Sequence, residues 1–226
     1  MSSRVEPRNG ATAQDPLHIA DGHVYSRKRV EKGKNRVCES PTIFVPDVFA
    51  LLYPSANMKK IFDSAPLNEA LASAGCTRLI CFTTCHLLLR AKEDEKARTL
   101  LQSMKMAPAY RSEQSHEPYV ATIAAIADCS SNEVRVALAK VATNVFAVTA
   151  TILGCCIGHA LYEYAAFIKH SCRPNTYTYF KTDGSIVLVA LRDIEAGEEL
   201  TYCFLRGIEC KTFGNAPRID FIAVRL

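Results

Sequence analysis

With 226 residues, 49% apolar and 22% charged, the chain can bury the core of one domain, or of one domain and a smaller lobe. Its net charge of +4 is too mild to select a polyanionic partner. The dense basic run from Arg27-Lys28-Arg29 to Lys34 reads as a solvated stretch ahead of a nucleic-acid or nuclear-import element.

Residues 1–30 contain no apolar signal-peptide core, so the ten cysteines are expected to be reduced. Cys76, Cys81, Cys85 and His86 lie close together but lack the short C-x2-C of zinc knuckles, and buried free thiols are expected there. Val141–Gly158 runs 18 residues without formal charge. Asn144, the threonines and the glycines inside it favour a buried core segment over a membrane helix.

Residues 1–40 are polar and aperiodic and are expected to form a disordered tail. Prolines 41, 46, 54 and 66 cut the next stretch into short helices, such as Asp47–Leu52 and Leu67–Ala74, rather than strands. From Leu79 the period is helical. Ala97, Leu100, Leu101 and Met104 fall at i, i+3, i+4 and i+7, and Asp94 and Arg98 are spaced to pair on the wet side. Pro108 closes that helix and Pro118 opens the next, whose core face is Val120, Ile123 and Ala127. Ser130 and Glu133 have capping-box spacing ahead of a stripe at Val134, Leu138, Val141 and Val145. Residues 41–133 are thus read as a helical lobe.

Beyond Val145 the signals turn to strand. Phe146–Thr149 is aromatic and β-branched, Ala160–Ile168 suits helix or strand, and Thr176–Tyr179 alternates. Asp183-Gly184 marks a turn into the apolar run Ile186–Leu191. A further turn at Ala196-Gly197 leads into a last strand, Leu200–Phe204. A small antiparallel sheet assembly is expected after Val145, within a C-terminal unit spanning 134–206, with an irregular tail over 207–226.

The densest chemistry lies in Lys169-His170-Ser171-Cys172-Arg173-Pro174-Asn175. On the residues alone, His170 and Cys172 suggest a nucleophile and its base. A turn is the other reading, with Pro174 rigid and Asn175 bonded to its own backbone. Glu195, Glu198 and Glu199 read as a solvated acidic turn.

The histidine block, followed by Asp193-Ile194-Glu195-Ala196-Gly197-Glu198-Glu199-Leu200-Thr201, resembles the SET domain of protein-lysine methyltransferases, with N-H-S-C-x-P-N and G-E-E-L-T-x-x-Y in the same order. Upstream, Gly158-His159-Ala160-Leu161-Tyr162 and Asn144-Val145-Phe146 are similar to motifs of the SET-and-MYND class. The MYND zinc cysteines of that class have no counterpart. The resemblance implies an α+β fold, with small SET-type sheets and a pseudoknot on the C-terminal side of a helical lobe. It implies S-adenosylmethionine as cofactor and a lysine of a histone or other protein as substrate. It implies no membrane, no nucleic acid except through chromatin, and a place in nucleus or cytoplasm.

Residue by residue, the resemblance places Asn144, Lys169 and His170 at the cofactor. The last-strand tyrosine position falls on Phe204, with Tyr202 two residues back as a weak substitute. Cys172 matches a cysteine that is a zinc ligand in relatives; of its partners after the last strand, Cys203 and Cys210 remain. Two positions depart from the pattern: Lys169 replaces the family asparagine and Phe204 the tyrosine. An ammonium about 5 Å from a sulfonium costs about 3 kcal/mol at an effective dielectric near 20, so Lys169 must turn away, lose its proton or weaken cofactor binding. A catalytically impaired SET protein serving as an interaction module is therefore the alternative to an active methyltransferase.

Overall fold

The structure, a computed structural model, describes residues 16–33, 36–46, 61, 63–70, 77–106, 117–149, 156–181 and 183–203. In chain order the strands are β1 (Leu17–Ala20), β2 (His23–Ser26), β3 (Arg36–Glu39) and β4 (Ile43–Pro46). The helices are α1 (Ala65–Ala70), α2 (Thr77–Glu93), α3 (Glu95–Ser103), α4 (Glu117–Ala127) and α5 (Ser131–Asn144). Then come β5 (Phe146–Thr149), β6 (Cys156–Leu161), β7 (Lys169–His170), β8 (Thr176–Phe180), β9 (Ile186–Ala190) and β10 (Thr201–Tyr202). The fold is α+β, as the resemblance implied. The described residues fall into two compact units, one from Ser40 to Ala166 and one joining the residues up to Glu39 with those from Phe167 onward.

The Ser40–Ala166 unit combines the five helices with a three-stranded sheet in the order β4-β6-β5. Its core follows the helical period: Ala97, Leu100 and Met104 on and just beyond α3, Val120, Ile123 and Ala127 on α4, and Val134, Leu138 and Val141 on α5 are all buried. Ser130 caps α5 as expected. Its hydroxyl accepts from the Glu133 N–H at 3.2 Å, and the Glu133 carboxylate accepts from the Ser130 N–H at 2.8 Å. Asp94 does not pair with Arg98. It is the N-cap of α3, where its carboxylate accepts from the Lys96 N–H and from the Arg90 guanidinium, each at 2.9 Å. Arg98 instead bonds Glu95 and donates to the Ala91 carbonyl. Arg90, one turn before, takes the i, i+4 pairing expected of Arg98, while the same carboxylate satisfies an orphan N–H of α3.

Cys81 and Cys85 are both buried, and burial pushes the Cys81 thiol up to about 12. No cluster of potential metal ligands occurs among the described residues; Cys76 lies outside them. No described helix is long and apolar enough to cross a membrane, and α5 and β5 bury Val141 and Val148 in the core. Residues 40–46 contain a strand, β4, where only short helices are expected. Asp47–Leu52 lies outside the described residues, as do Pro108 and the C-terminal tail.

Within the second unit, residues 17–20, 23–26 and 36–39 form strands where a disordered tail over residues 1–40 is expected; residues 1–15 lie outside the described residues. β1 and β2 form an antiparallel hairpin, and β3 pairs with β9. Asp21 and Gly22 turn the hairpin with φ of 51° and 75°, the positive-φ pair that two-residue hairpins need. Leu17 and Val24 are fully buried. The short, polar alternation of these strands hid them from a reading that weighs apolar content. β9 is central in the order β3-β9-β8, and every one of its residues is buried, so both faces are covered, which explains its unbroken apolar run. The expected β8–β9 hairpin turns through Gly184 at φ 80°. One pair departs from the antiparallel expectation. β7 and β10 run parallel, with Thr201 opposite Lys169 and Tyr202 opposite His170. The two sequence blocks are thereby brought side by side.

Candidate active site

The site is built on the segment from Gly197 to Tyr202. On one side it is tied to β2: the Leu200 N–H donates to the Val24 carbonyl at 2.8 Å, the Ser26 N–H to the Glu198 carbonyl at 3.1 Å, and the Gly197 N–H to the Ser26 carbonyl at 2.7 Å. On the other side it pairs with β7, and the Ser171 N–H donates to the Tyr202 carbonyl at 3.0 Å. The segment thus has the histidine block on one flank and the N-terminal hairpin on the other.

Asn175 clamps this arrangement. It is 2% exposed and does not bond its own backbone, as a bare turn would. Its amide donates to the Glu199 carbonyl at 2.8 Å and to the Glu198 carboxylate at 3.1 Å. Its carbonyl oxygen accepts from the Thr201 N–H at 2.8 Å. Thr176 adds a hydroxyl bond to the Thr201 carbonyl at 2.8 Å. A buried amide satisfied on both its donor and acceptor sides fixes the register of the two blocks.

The acidic turn is organised rather than loosely solvated. Arg192 forks onto the Glu198 carboxylate, which also accepts from the Glu195 N–H at 3.1 Å. The Arg192 guanidinium, with the Asn175 amide and the Glu195 N–H, holds the Glu198 carboxyl below the usual carboxylate range against the opposing effect of burial. Gly197 supplies the φ of 83° that the turn requires.

Lys169 is exposed at the start of β7, and its ammonium lies 2.7 Å from Nε2 of His23. Nδ1 of the same imidazole lies 2.5 Å from the Glu199 carboxylate. A carboxylate only accepts, so Nδ1 carries the proton toward Glu199 and Nε2 accepts from the ammonium. His23 is half-buried and stacks on Tyr25, with ring centroids 6.2 Å apart and an interplanar angle of 22°. His18 stacks against Tyr25 in turn at 5.4 Å.

His170 is exposed, and its Nε2 lies 3.3 Å from the Cys172 thiol, itself exposed. The structure therefore brings this pair together, but places neither residue in a cleft that would exclude water from a nucleophile. Tyr202 lies on β10 opposite His170. Phe204 and Cys210 lie outside the described residues, and Cys203 is half-buried just beyond β10. Asn144 ends α5 in the other unit, where its amide donates to the Lys140 carbonyl at 2.7 Å and the Lys105 carbonyl at 2.8 Å. Those bonds occupy both amide hydrogens in tying the end of α5 to the chain beyond α3.

Sequence reasoning missed His23 and the cross-strand role of Asn175. The Asp21-Gly22 dipeptide between two four-residue strands was a signal for the hairpin. Nothing local to Asn175 identifies its distant partners.

The SET domain family model matches residues 77–205, more than half of the chain. Over 49 residues the chain is 39% identical to the histone-lysine N-methyltransferase ATXR4 of Arabidopsis thaliana, a match covering 22% of this chain and 15% of that protein. Over 49 residues it is 45% identical to the histone-lysine N-methyltransferase SMYD3 of Mus musculus, covering 22% of this chain and 11% of that protein. The chain thus matches only a small part of the length of these curated relatives. The crystal structure of the SET domain of LSMT bound to lysine and AdoHcy aligns with a TM-score of 0.46 at 11% identity, covering 87% of this chain and 51% of that one.

Proposed function

We propose that this chain, which belongs to the SET domain family, is an S-adenosylmethionine-dependent lysine N-methyltransferase acting on histone or other protein lysines. The observation that carries the reading is the parallel pairing of β7 with β10 under the Asn175 clamp. It juxtaposes the two blocks whose resemblance implies a cofactor end and a lysine end.

The cofactor supplies an activated methyl on a sulfonium, and the protein's task is to align it with a neutral lysine amine. Lys169 and His170 on β7 are assigned to holding it; for Asn144 the same role rests on the resemblance alone, since its amide hydrogens are engaged by the Lys105 and Lys140 carbonyls. Phe204 and Tyr202 are assigned to the channel of the incoming lysine. The residues present fit a cationic cofactor in one respect. The Lys169 ammonium is bound to His23, whose other ring nitrogen meets the Glu199 carboxylate. The Gly158–Tyr162 motif and the match to SMYD3 support placement near the SET-and-MYND class. A histone substrate implies a nuclear protein, and other protein substrates a cytoplasmic one as well.

Calorimetry with S-adenosylhomocysteine tests cofactor binding, and radiolabel transfer to histones and a peptide array tests activity. Binding and transfer are the expected results; absence of binding refutes the reading. The second reading, an impaired SET protein used as an interaction module, draws on Lys169 and Phe204 standing in place of asparagine and tyrosine. It expects binding without transfer, and transfer regained in the Lys169→Asn, Phe204→Tyr double variant.

A further inference from the structure

The resemblance sets Lys169 close to the sulfonium of the cofactor, so where its charge is held matters. We infer that His23 is a positioning residue: oriented by Glu199, it binds the Lys169 ammonium and so keeps the cofactor site compatible with a positively charged cofactor. The inference rests on the proposed function for the location of the cofactor.

Three features support it. The contacts form a chain, Glu199 carboxylate to His23 Nδ1 at 2.5 Å and His23 Nε2 to Lys169 ammonium at 2.7 Å. Carboxylate, neutral imidazole and ammonium satisfy one another with a single proton placement, and no charge is left without a counter-charge within the chain. The residues also come from three separate segments that backbone bonds hold in register. The Leu200–Val24 and Gly197–Ser26 bonds set His23 beside Glu199, and the Thr201–Lys169 pairing sets Lys169 on the other side of the same segment. Finally, stacking on Tyr25 limits rotation of the His23 ring. The lysine is therefore not merely a surface residue that happens to lie near a histidine. Its long stem is led across the Gly197–Tyr202 segment to a prepared acceptor.

The alternative use of Lys169, as a partner for the carboxylate at the methionine end of the cofactor, predicts a different pattern. S-adenosylmethionine and S-adenosylhomocysteine both carry that carboxylate, but only the former carries the sulfonium. The ratio of their dissociation constants therefore reports the position of the ammonium relative to the sulfonium and is insensitive to general damage of the site. Both constants are measured by calorimetry on the full chain at low salt for the wild type, His23→Ala, Glu199→Gln, and His23→Ala combined with Lys169→Met. The expected result is a selective loss of S-adenosylmethionine affinity in His23→Ala, about tenfold in the ratio for a partly screened charge. A smaller change in the same direction is expected for Glu199→Gln, and return of the ratio to the wild-type value when Lys169 is also replaced. Glu199→Gln keeps the side chain's size, so it serves if His23→Ala does not fold. An unchanged ratio with S-adenosylhomocysteine still bound overturns the inference alone. Equal weakening of both ligands does the same and points to the carboxylate-binding role. Failure of the wild type to bind S-adenosylhomocysteine overturns the proposed function and this inference together.

Discussion

His86 on α2 is 5% exposed, and neither ring nitrogen has a hydrogen-bond partner among the described residues. Burial, with Arg90 nearby, pulls its imidazole down to about 4. The unfolded chain protonates the same group near 6.5, so between these values the unfolded state binds more protons. Stability contributed by neutral His86 is complete above about pH 6.5 and falls as pH drops to about 4, by up to about 3 kcal/mol. Urea unfolding of His86→Leu across that window is expected to show a shallower pH dependence than the wild type. Equal slopes would remove His86 from the account. Glu198 acts in the same direction at lower pH. Its depressed carboxyl stabilises the fold above the usual glutamate range, and that contribution is lost as pH falls through the folded value. Lys140 shows a different solution for a half-buried charge: its ammonium donates to the Leu101 carbonyl at 2.7 Å and the Gln102 carbonyl at 3.1 Å at the end of α3. There the carbonyls left over by the helix favour a cation.

At the scale of elements, the turn before β10 matters most. Glu195 to Glu198 closes with the Glu198 N–H on the Glu195 carbonyl at 3.1 Å, and Gly197 takes the left-handed backbone conformation within it. A methyl at Gly197 meets nothing within 4 Å, so the cost of Gly197→Ala is conformational, about 1–2 kcal/mol. Thermal unfolding is expected to show that loss. A neutral result would mean that the turn tolerates another backbone geometry. The same substitution is expected to loosen Glu198, since Arg192 and Asn175 both reach it through this turn. Element identity was legible where period or capping chemistry was strong. α5 with its Ser130 box and the β8–β9 hairpin are the examples. The direction of β10 was not legible, because a two-residue pairing leaves no period to read.

At the scale of the molecule, the N-terminal residues belong with the C-terminal strands. A chain beginning at residue 40 loses the β1–β2 hairpin and β3, and with them the cover over one edge of β9. Its expected behaviour is loss of a cooperative transition in the strand signal and binding of an apolar dye. A detachable tail would leave unfolding unchanged. The removed segment also holds His23, so the deletion separates the recognisable motif blocks from a residue that the site uses.

Sequence by itself determined the family and the two blocks of the candidate site, because those blocks are contiguous and carry unusual residues at fixed offsets. It also determined the core faces of α3, α4 and α5, because burial on a helix repeats every three to four residues. Tertiary structure decided the rest. It paired His23 with a lysine and a glutamate each more than a hundred residues away. It turned Asn175 from a local turn residue into a cross-strand clamp, and it drew an apparent tail into a sheet. These depend on backbone pairing between distant segments, which leaves no local pattern in the chain. The replacement of asparagine by Lys169 was plain in the sequence; the acceptor that receives its charge became visible only once β2, β7 and the Gly197–Tyr202 segment were placed side by side.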